Sequence, residues 1–231
     1  MAQKKLERFA AIKTFSNVLE YPVDMKGRWA NFFTNKNPII LELACGRGEY
    51  TVGMARLFIN RNFIGVDVKG NRMYIGAKKC LAEKLTNAGF LRTQIEKLTD
   101  YFAAGEVAEI WITFPDPQLR TSKAKKRLTH PRFLRLYQQI LTPGGSVHLK
   151  TDSPDLYQFT KKVSELYDLS IVEDSDNVYE EPVIKEELKI KTHYESLDIA
   201  QSKKIHYLKF TLPATIKNMD DQLQEILRDE E

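Results

Sequence analysis

The feature that most constrains the fold is an alternation, from Pro38 onward, of short apolar runs with segments of helical periodicity. Such an alternation is typical of β-α units and a parallel sheet. The sequence therefore predicts an α/β fold, with a Rossmann-like doubly wound sheet of seven strands that is mostly parallel with an antiparallel last strand. The predicted strands cover residues 39–44, 62–68, 90–92, 109–114, 146–150, 169–172 and 205–212.

Composition and pattern divide the chain into three segments. With 231 residues, of which 42% are hydrophobic, the chain can bury one ordinary core. We expect a basic N-terminal segment over 1–37, one main domain over 38–213 and an acidic C-terminal tail over 214–231. Residues 175–203 form a long charged crossover, and this length predicts a functional insertion or a helix that the pattern hides.

Cysteine and histidine usage excludes some classes of site. Cys45 and Cys80 lack the paired spacing of zinc or redox sites, so a reducing compartment fits best. His130 and His148 have no partners at metal-ligand spacing, and we predict no metal site. No stretch resembles the apolar core of a signal peptide or a membrane span, so we expect a cytoplasmic protein without a membrane partner.

The first chemical motif is Glu-Leu-Ala-Cys-Gly-Arg-Gly at 42–48, at the end of the first predicted strand. Gly46 and Gly48 allow a nucleoside to approach the backbone closely, and they leave free amides at the start of the next helix. Asp67 ends the second strand, where a carboxylate can accept hydrogen bonds from both ribose hydroxyls. The pattern therefore predicts a nucleoside cofactor at the carboxyl edge of the sheet.

Two nucleoside cofactors are compatible with a strand, a Gly-x-Gly loop, a helix and a later acid. The fingerprint of nicotinamide dinucleotide sites requires a third glycine, and Thr51 occupies that position. Glu42, an acid inside the first strand, is not part of that fingerprint and suits a ligand with an ammonium group, as methionine has. The residues therefore favour S-adenosylmethionine over a dinucleotide, and a glycine-rich structural turn without a ligand is the remaining alternative.

The second motif, Phe-Pro-Asp-Pro at 114–117, follows the fourth predicted strand and opens onto the same edge of the sheet. Two prolines fix the backbone around Asp116, so its carboxylate is presented rigidly. By itself the motif is equally compatible with a plain Asp-Pro turn. Its position beside the predicted cofactor site favours a functional role.

A stretch of one charge sign follows this motif. Between Pro117 and Thr151 there is no Asp or Glu. Such a stretch beside the active edge can bind phosphates and hold a polynucleotide over the site, and the alternative is a solvated basic face. Its cations are Arg120, Lys123, Lys125, Lys126, Arg127, Arg132, Arg135 and Lys150.

Two further motifs add carboxylates near the same rim. Lys-Thr-Asp at 150–152 ends the fifth strand, and Asp152 is equally compatible with a helix cap and a ligand contact. Thr-His-Tyr-Glu at 192–195 precedes the last strand and contributes Glu195. Cys45 has no neighbouring histidine to activate it, so we predict a small buried residue rather than a nucleophile.

Five motifs, in this order, together resemble those of the tRNA (guanine-N7-)-methyltransferase family. They lie at 42–48, 65–67 (Gly-Val-Asp), 114–117, 150–152 and 192–195. The resemblance runs from the first strand to the last and implies a methyltransferase domain over 38–213. It implies S-adenosylmethionine as the cofactor and tRNA as the partner. The implied reaction is methyl transfer to N7 of a guanine, the guanosine at position 46 of the variable loop.

The resemblance also implies roles for individual residues. The central active-site acid, which also contacts the cofactor, is Asp116. An acid or amide near the end of the third strand contacts the adenine in this family, and the candidates here are Thr93 and Gln94, with Gln94 as our assignment. The other implied cofactor contacts are Glu42, Gly46, Gly48 and Asp67. The implied substrate contacts are Arg120, Asp152, Thr192 and Glu195.

Two other functions are compatible with parts of the pattern. One is methyl transfer to another acceptor, such as an exocyclic amine of a different base or a small molecule. Amine methyltransferases usually carry Pro-Pro-aromatic after the acid, whereas Pro117 and Gln118 follow Asp116 here. The other is a non-catalytic RNA-binding protein on the same scaffold, which the intact glycine loop disfavours.

Overall fold

One sheet with helices on both faces forms the protein. The computed structural model describes residues 2–197, 201 and 204–229, and within them the sheet has eight strands. The strands are β1 (Val18–Glu20), β2 (Ile39–Leu43), β3 (Asn62–Asp67), β4 (Ala88–Arg92), β5 (Val107–Thr113), β6 (Leu141–Thr151), β7 (Ser170–Ser175) and β8 (His206–Thr211). The helices are α1 (Ala2–Ile12), α2 (Trp29–Phe33), α3 (Glu49–Leu57), α4 (Gly70–Ala82), α5 (Leu98–Tyr101), α6 (Pro131–Ile140), α7 (Pro154–Leu166) and α8 (Asp220–Arg228).

The strands are arranged in the order β1-β4-β3-β2-β5-β6-β8-β7. Every adjacent pair from β1 to β6 is parallel, and β8 runs antiparallel to both β6 and β7. This confirms the predicted doubly wound sheet, mostly parallel with an antiparallel last strand. The sheet has one strand more than predicted, because the three residues of β1 pair with β4 at the edge. A run of three residues is too short to show a periodicity in the sequence.

The chain changes direction across the sheet at β2. Strands β3 and β4 lie on one side of β2, and β5 and β6 lie on the other. Leu43 at the end of β2 aligns with Val66 of β3 and with Ile112 of β5, so three strand ends meet at one edge. In open α/β sheets, ligands bind in the crevice at such a switch point.

Alternating side chains of the strands build two apolar layers. One layer lies between the sheet and α2, α5, α6, α7 and α8, and it includes Leu41 and Ile64. The other lies between the sheet and α1, α3 and α4, and it includes Ile40 and Phe63. Because successive residues of a strand enter different layers, a slip of one residue would move every side chain of that strand into the opposite layer. The packing of both layers therefore fixes the register.

Helix α2, which precedes β2, and helix α8, which follows β8, contribute to the same one of these layers. Trp29 of α2 is fully buried, stacks on Phe102 with 5.0 Å between ring centroids, and donates its indole N–H to the Tyr101 carbonyl at 2.9 Å. Leu223 and Leu227 of α8 pack into the same layer. The segments before β2 and after β8 thus share the core of the sheet.

The described part of the crossover between β7 and β8 contains three single-turn 3-10 helices. They cover Val178–Glu180, Glu186–Lys189 and Glu195–Leu197. Leu188 is buried in the layer that contains α3 and α4, and the Tyr50 hydroxyl of α3 donates to the Glu187 carbonyl at 2.7 Å. The crossover therefore packs along α3.

We expect Trp29→Ala to lower the free energy of unfolding by about 3–5 kcal/mol, because it leaves a cavity under the sheet and an unpaired Tyr101 carbonyl. Urea unfolding followed by circular dichroism measures this change. Leu6→Ala, at a side chain that is 70% exposed, is the matched control near the same end of the chain. A loss below about 1 kcal/mol for Trp29→Ala would contradict the packing of α2 into the main core.

Candidate active site

A cleft of about 1100 Å³ opens at the carboxyl edge of the sheet, where β2, β3, β5 and β6 end. Its walls come from the glycine loop, the segments after β3 and β4, the Phe-Pro-Asp-Pro loop and the start of α7. This volume exceeds that of a typical site for one small ligand, so there is space for a cofactor and a second group. The lining includes Gly46, Asp67, Thr93, Gln94, Asp116, Asp152 and Tyr194.

The glycine loop turns sharply between β2 and α3. Ala44, Gly46 and Gly48 adopt left-handed backbone conformations, with φ of 55°, 55° and 73°. Gly48 has a second constraint, because a Cβ atom there would lie 2.5 Å from the Phe90 ring. Gly46 lines the cleft, whereas Gly48 begins α3 beneath it. Gly46 therefore faces the cleft, and Gly48 permits close packing of α3.

Asp67 at the end of β3 is held in position by backbone amides. Its Oδ2 accepts a hydrogen bond from the Gly46 N–H at 2.9 Å, and its Oδ1 accepts one from the Lys69 N–H at 2.8 Å. The carboxylate lines the cleft, and each oxygen has a second lone pair for a ligand hydroxyl. This arrangement fits the two ribose hydroxyls of a nucleoside cofactor.

The residues after β4 form another wall of the cleft. Thr93 is buried and Gln94 is exposed, and both line the cleft. The Thr93 hydroxyl has no hydrogen-bond partner among the described residues. An orphaned polar atom at a cavity wall fits a ligand contact. Both candidates for the adenine contact thus lie at the cleft.

Glu42 lies beneath the cleft and not in its lining. Its Oε2 accepts hydrogen bonds from the N–H (2.8 Å) and the hydroxyl (2.5 Å) of Thr51 in α3, and its Oε1 accepts one from the Thr113 hydroxyl of β5 (2.9 Å). Burial raises the pKa of Glu42 to about 7, although these hydrogen bonds oppose the shift. The carboxyl group therefore joins β2, α3 and β5 under the glycine loop.

The Phe-Pro-Asp-Pro loop has a strained backbone. Phe114 and Gln118 both have φ of 49°, although neither is glycine. Asp116 Oδ1 accepts the Gln118 N–H at 3.0 Å. The buried Arg127 guanidinium donates to the Gln118 and Leu119 carbonyls at 3.2 Å each. The loop therefore presents the exposed Asp116 carboxylate to the cleft in a braced position.

Asp152 follows β6 and also lines the cleft. The N-cap of α7 is Ser153, whose hydroxyl accepts the Leu156 N–H at 3.3 Å. Asp152 was predicted to be either a helix cap or a ligand contact. The structure assigns the cap to its neighbour, Ser153. Because β5 and β6 are adjacent, the loops that follow them bring Asp116 and Asp152 into one cleft.

The Thr-His-Tyr-Glu segment contributes its tyrosine to the cleft. Tyr194 lines the cleft beside Gly46, where a Cβ on the glycine would lie 3.8 Å from the tyrosine ring. Its hydroxyl accepts a hydrogen bond from Arg72, which also lines the cleft. The sequence pattern did not predict Tyr194 or Arg72 as a site residue. The one available signal was the position of Tyr194 inside a motif already assigned to the site.

Thr192 and Glu195 lie outside the cleft lining, in a buried network behind it. The Lys150 ammonium is fully buried and donates to the Leu188 carbonyl at 2.8 Å, the Ile190 carbonyl at 3.0 Å and the Glu195 carboxylate at 2.9 Å. The Thr192 hydroxyl accepts the Glu195 N–H at 3.2 Å. Burial lowers the pKa of Lys150, and the charge of Glu195 offsets part of this effect. The network anchors the crossover to the end of β6.

The basic stretch separates into groups by position. Lys126 and Arg132 line the cleft, and Arg132 also pairs with Glu96 at 3.3 Å. Arg127 is buried and braces the loop, whereas Arg120 is exposed and outside the cleft lining. Part of the stretch therefore faces the cleft. The sequence could not show which part, because the 3-10 helix Thr121–Lys126 has no periodic apolar face.

The described part of the chain contains no group of three or more His, Cys, Asp or Glu side chains that could hold a metal ion. Within it, no helix is long and apolar enough to cross a membrane. Cys45 is buried, and burial raises the pKa of its thiol. A raised thiol pKa disfavours the thiolate that a cysteine nucleophile requires.

We expect Glu42→Gln to stabilise the ligand-free protein more at pH 8 than at pH 5. A folded-state pKa of about 7 means that the carboxyl group contributes stability below its unfolded-state pKa of 4.5, and that the contribution is lost as the pH rises through 7. Glutamine can accept the Thr51 N–H and donate to the Thr113 hydroxyl, so the network survives. The variant's advantage in urea unfolding should grow by about 1–3 kcal/mol across this window, and a pH-independent difference would contradict a desolvated carboxyl group.

We expect Lys150→Met to destabilise the protein by about 3–5 kcal/mol, since it leaves the Glu195 carboxylate buried without its cation. Hydrogen exchange of residues 188–195 should accelerate. The double variant Lys150→Met/Glu195→Gln removes both charges, and it should recover part of the loss because glutamine still accepts from the Tyr179 hydroxyl. If the loss in the double variant equals the sum of the losses in Lys150→Met and Glu195→Gln alone, coupling between the two side chains is contradicted.

Known proteins of similar sequence are methyltransferases. Residues 36–208 match the model of a family described as a putative methyltransferase. The chain is 46% identical to the tRNA (guanine-N(7)-)-methyltransferase of Bacteroides thetaiotaomicron, over 92% of this chain and 87% of that protein. It is 49% identical to the protein of the same name from Porphyromonas gingivalis, over 87% of this chain and 86% of that protein.

Solved structures of RNA methyltransferases share the fold. The 16S rRNA methyltransferase KamB aligns with a TM-score of 0.61 over 85% of this chain and 99% of that chain, at 16% identity. A 30S ribosomal A1408 methyltransferase from an uncultured bacterium aligns with a TM-score of 0.59 over 83% and 95%, at 20% identity. These two structural alignments show a shared fold alone. The alignments with the two sequence relatives cover most of both chains. The resemblance predicted from the motifs is confirmed, and the chain belongs to the tRNA (guanine-N(7)-)-methyltransferase family.

Proposed function

We propose that the protein transfers a methyl group from S-adenosylmethionine to N7 of a guanine in tRNA, the guanosine at position 46 of the variable loop. One observation carries the proposal: Gly46 and Asp67, at the ends of β2 and β3, share a single cleft with the Asp116 and Asp152 carboxylates. The first pair fits the cofactor, and the second fits a purine that becomes cationic. We place the reaction in the cytoplasm, where tRNA is found.

The cofactor would occupy the part of the cleft at the ends of β2, β3 and β4. Asp67 would accept the ribose hydroxyls, Gly46 would allow close approach to the backbone, and Thr93 or Gln94 would contact the adenine. Glu42 and Gly48 would act from beneath, one by tying α3 to the strands and the other by letting α3 pack on Phe90. When bound, S-adenosylmethionine supplies an electrophilic methyl group on a sulfonium.

Methylation at guanine N7 requires alignment more than proton removal. The N7 lone pair lies in the plane of the ring and is free at neutral pH, so no general base is needed. Methylation leaves the purine with a positive charge. The Asp116 carboxylate, braced through Gln118 and Arg127, would stabilise this charge as it develops.

Selection of guanine would depend on its N1–H and N2–H donors. Asp152 lines the cleft and can accept these hydrogen bonds, whereas adenine presents an acceptor at N1 and would be disfavoured. Glu195 is a second acceptor of this kind, but its carboxylate binds Lys150 and Tyr179 in the present arrangement. We therefore assign guanine selection to Asp152, and we propose that Glu195 and Thr192 support it by holding the crossover beside the cleft.

The acceptor base has to leave its stack to enter the cleft. Nucleotides in a loop leave their stack at lower cost than those in a paired stem, which favours the variable loop. Lys126 and Arg132 line the cleft, and Arg120 is exposed on the same segment. These cations would hold the phosphates around the extruded nucleotide.

The decisive experiment is incubation with methyl-labelled S-adenosylmethionine and an unmodified tRNA transcript, followed by mapping of the labelled nucleotide. Chain scission with borohydride and aniline, which is specific for N7-methylated guanosine, should identify one site in the variable loop. A transcript with adenosine at that position is the control and should accept no label. Label on a different base atom, or binding of both ligands without transfer, would reject the proposal.

We expect Asp116→Asn to lower kcat by about a hundredfold or more, because asparagine keeps the hydrogen bond from the Gln118 N–H but removes the charge. The melting temperature should not change, since the side chain is exposed. Asp100→Asn, an exposed position outside the cleft lining, is the matched control and should stay within about twofold of wild type. Wild-type single-turnover rates for Asp116→Asn would exclude the assigned role.

A further inference from the structure

A second acid-free stretch flanks the cleft. Between Asp67 and Glu83 the chain contains no Asp or Glu, and this stretch covers α4 and the turn before it. α4 packs on the face of the sheet that carries α1 and α3, whereas the basic stretch after β5 leads into α6 on the opposite face. The cleft thus has an acid-free stretch on each side. The cations of the second one are Lys69, Arg72, Lys78 and Lys79.

This stretch connects the cleft to a second cavity, which we term the α4 groove. The α4 groove has a volume of about 590 Å³ and lies between α3, α4 and residues 186–191. Lys69 and Arg72 line the cleft, and Lys79 lines the α4 groove. Arg47 of the glycine loop also lines the α4 groove, so the two cavities are neighbours across that loop.

One of the two acids that line the α4 groove is already neutralised. Glu186 pairs with Lys189 at 2.5 Å, and the nearby Glu83 pairs with Arg56 at 2.5 Å. Glu49 is the remaining acid in the lining.

Three cations of the lining form no ion pair within the described residues: Arg47, Lys79 and Lys191. Glu49 is the one acid of this lining without an ion pair among the residues that the structure describes, so the α4 groove carries excess positive charge. Lys79 and Lys191 are both exposed. Neither ammonium group therefore carries the desolvation cost of a buried charge, and both can contact a ligand.

Between these cations the floor of the α4 groove is apolar. Val52, Ile75 and Ile190 line it. Ile190 is held close to α3, since a Cβ atom on Gly53 would lie 2.7 Å from its side chain. An apolar floor with a cationic rim fits a nucleotide, because a ribose or base can cover the floor while its phosphate meets the lysines and arginine.

We propose that the α4 groove binds the sugar-phosphate backbone of the same tRNA whose guanine enters the cleft. The inference rests on the proposed function. The cleft holds one extruded nucleotide, and the strand has to continue away from it in both directions. Cations on both faces of the sheet then hold the strand on both sides of that nucleotide, with the first basic stretch on one side and the α4 groove on the other.

The test uses Lys79→Gln and Lys191→Gln, singly and together, in the full chain. Fluorescence anisotropy with labelled tRNA measures Kd at several salt concentrations. Each substitution should reduce the slope of log Kd against log salt by about one, and the double variant should bind on the order of tenfold more weakly at low salt. The KM for tRNA should rise in parallel, while kcat and the Kd of S-adenosylmethionine stay unchanged.

Lys26→Gln is the matched control, because Lys26 is exposed and precedes Gly27, which binds Glu106 at the amino end of β5, away from the cleft. It should leave Kd and the salt slope at wild-type values. If wild-type protein neither binds nor methylates tRNA, the proposed function fails and this inference fails with it. If wild-type protein methylates tRNA and the double variant keeps the wild-type Kd and salt slope, the α4 groove inference alone is overturned, and an acidic protein partner becomes the next candidate.

Discussion

The geometry of the site depends on one buried carboxyl group at the switch point of the sheet. Glu42 reaches from β2 to the start of α3 through Thr51, and to the end of β5 through Thr113. The glycine loop and the Phe-Pro-Asp-Pro loop begin at these two ends, so a single side chain couples the cofactor half of the cleft to its acidic half. The carboxyl group is buried, and burial raises its pKa. Three hydrogen bonds, from Thr51 and Thr113, offset part of the cost of burying this group.

A second buried charge helps to anchor the crossover beside the cleft. Lys150 binds two carbonyls and a carboxylate of the crossover, and this holds Tyr194 beside the glycine loop. The same contacts keep Glu195 away from the cleft. Buried apolar side chains of the crossover, such as Val178 and Leu188, also pack against the core. The ammonium group adds hydrogen bonds that the low dielectric of the interior strengthens. Acid-free basic stretches lie on both faces of the sheet beside the cleft, and their positive charge favours binding of a polyanion.

Much of the site could be predicted because its residues stand next to strand ends. Asp67 ends a strand and Asp152 directly follows one, whereas Gly46 and Asp116 each lie three residues beyond a strand end. Parallel strands deliver such residues to one edge whatever the rest of the chain does. Glu42 and Gly48 were expected to hold the cofactor, and the structure places both beneath the cleft, where their present contacts are with protein. Tyr194 and Arg72 could not be predicted, since one lies in an irregular crossover and the other on a helix whose orientation depends on packing.

The sequence by itself determined the alternation of strands and helices, the mostly parallel sheet and the order of the motifs, because periodicity and turn chemistry act over a few neighbouring residues. It also determined the family. Tertiary structure alone decided which side chains face the cleft, that β1 extends the sheet, and that Trp29 and Leu223 share one core. Those outcomes depend on burial and on ion pairs between residues far apart in the chain, such as Lys150 with Glu195, and no local pattern encodes such pairs.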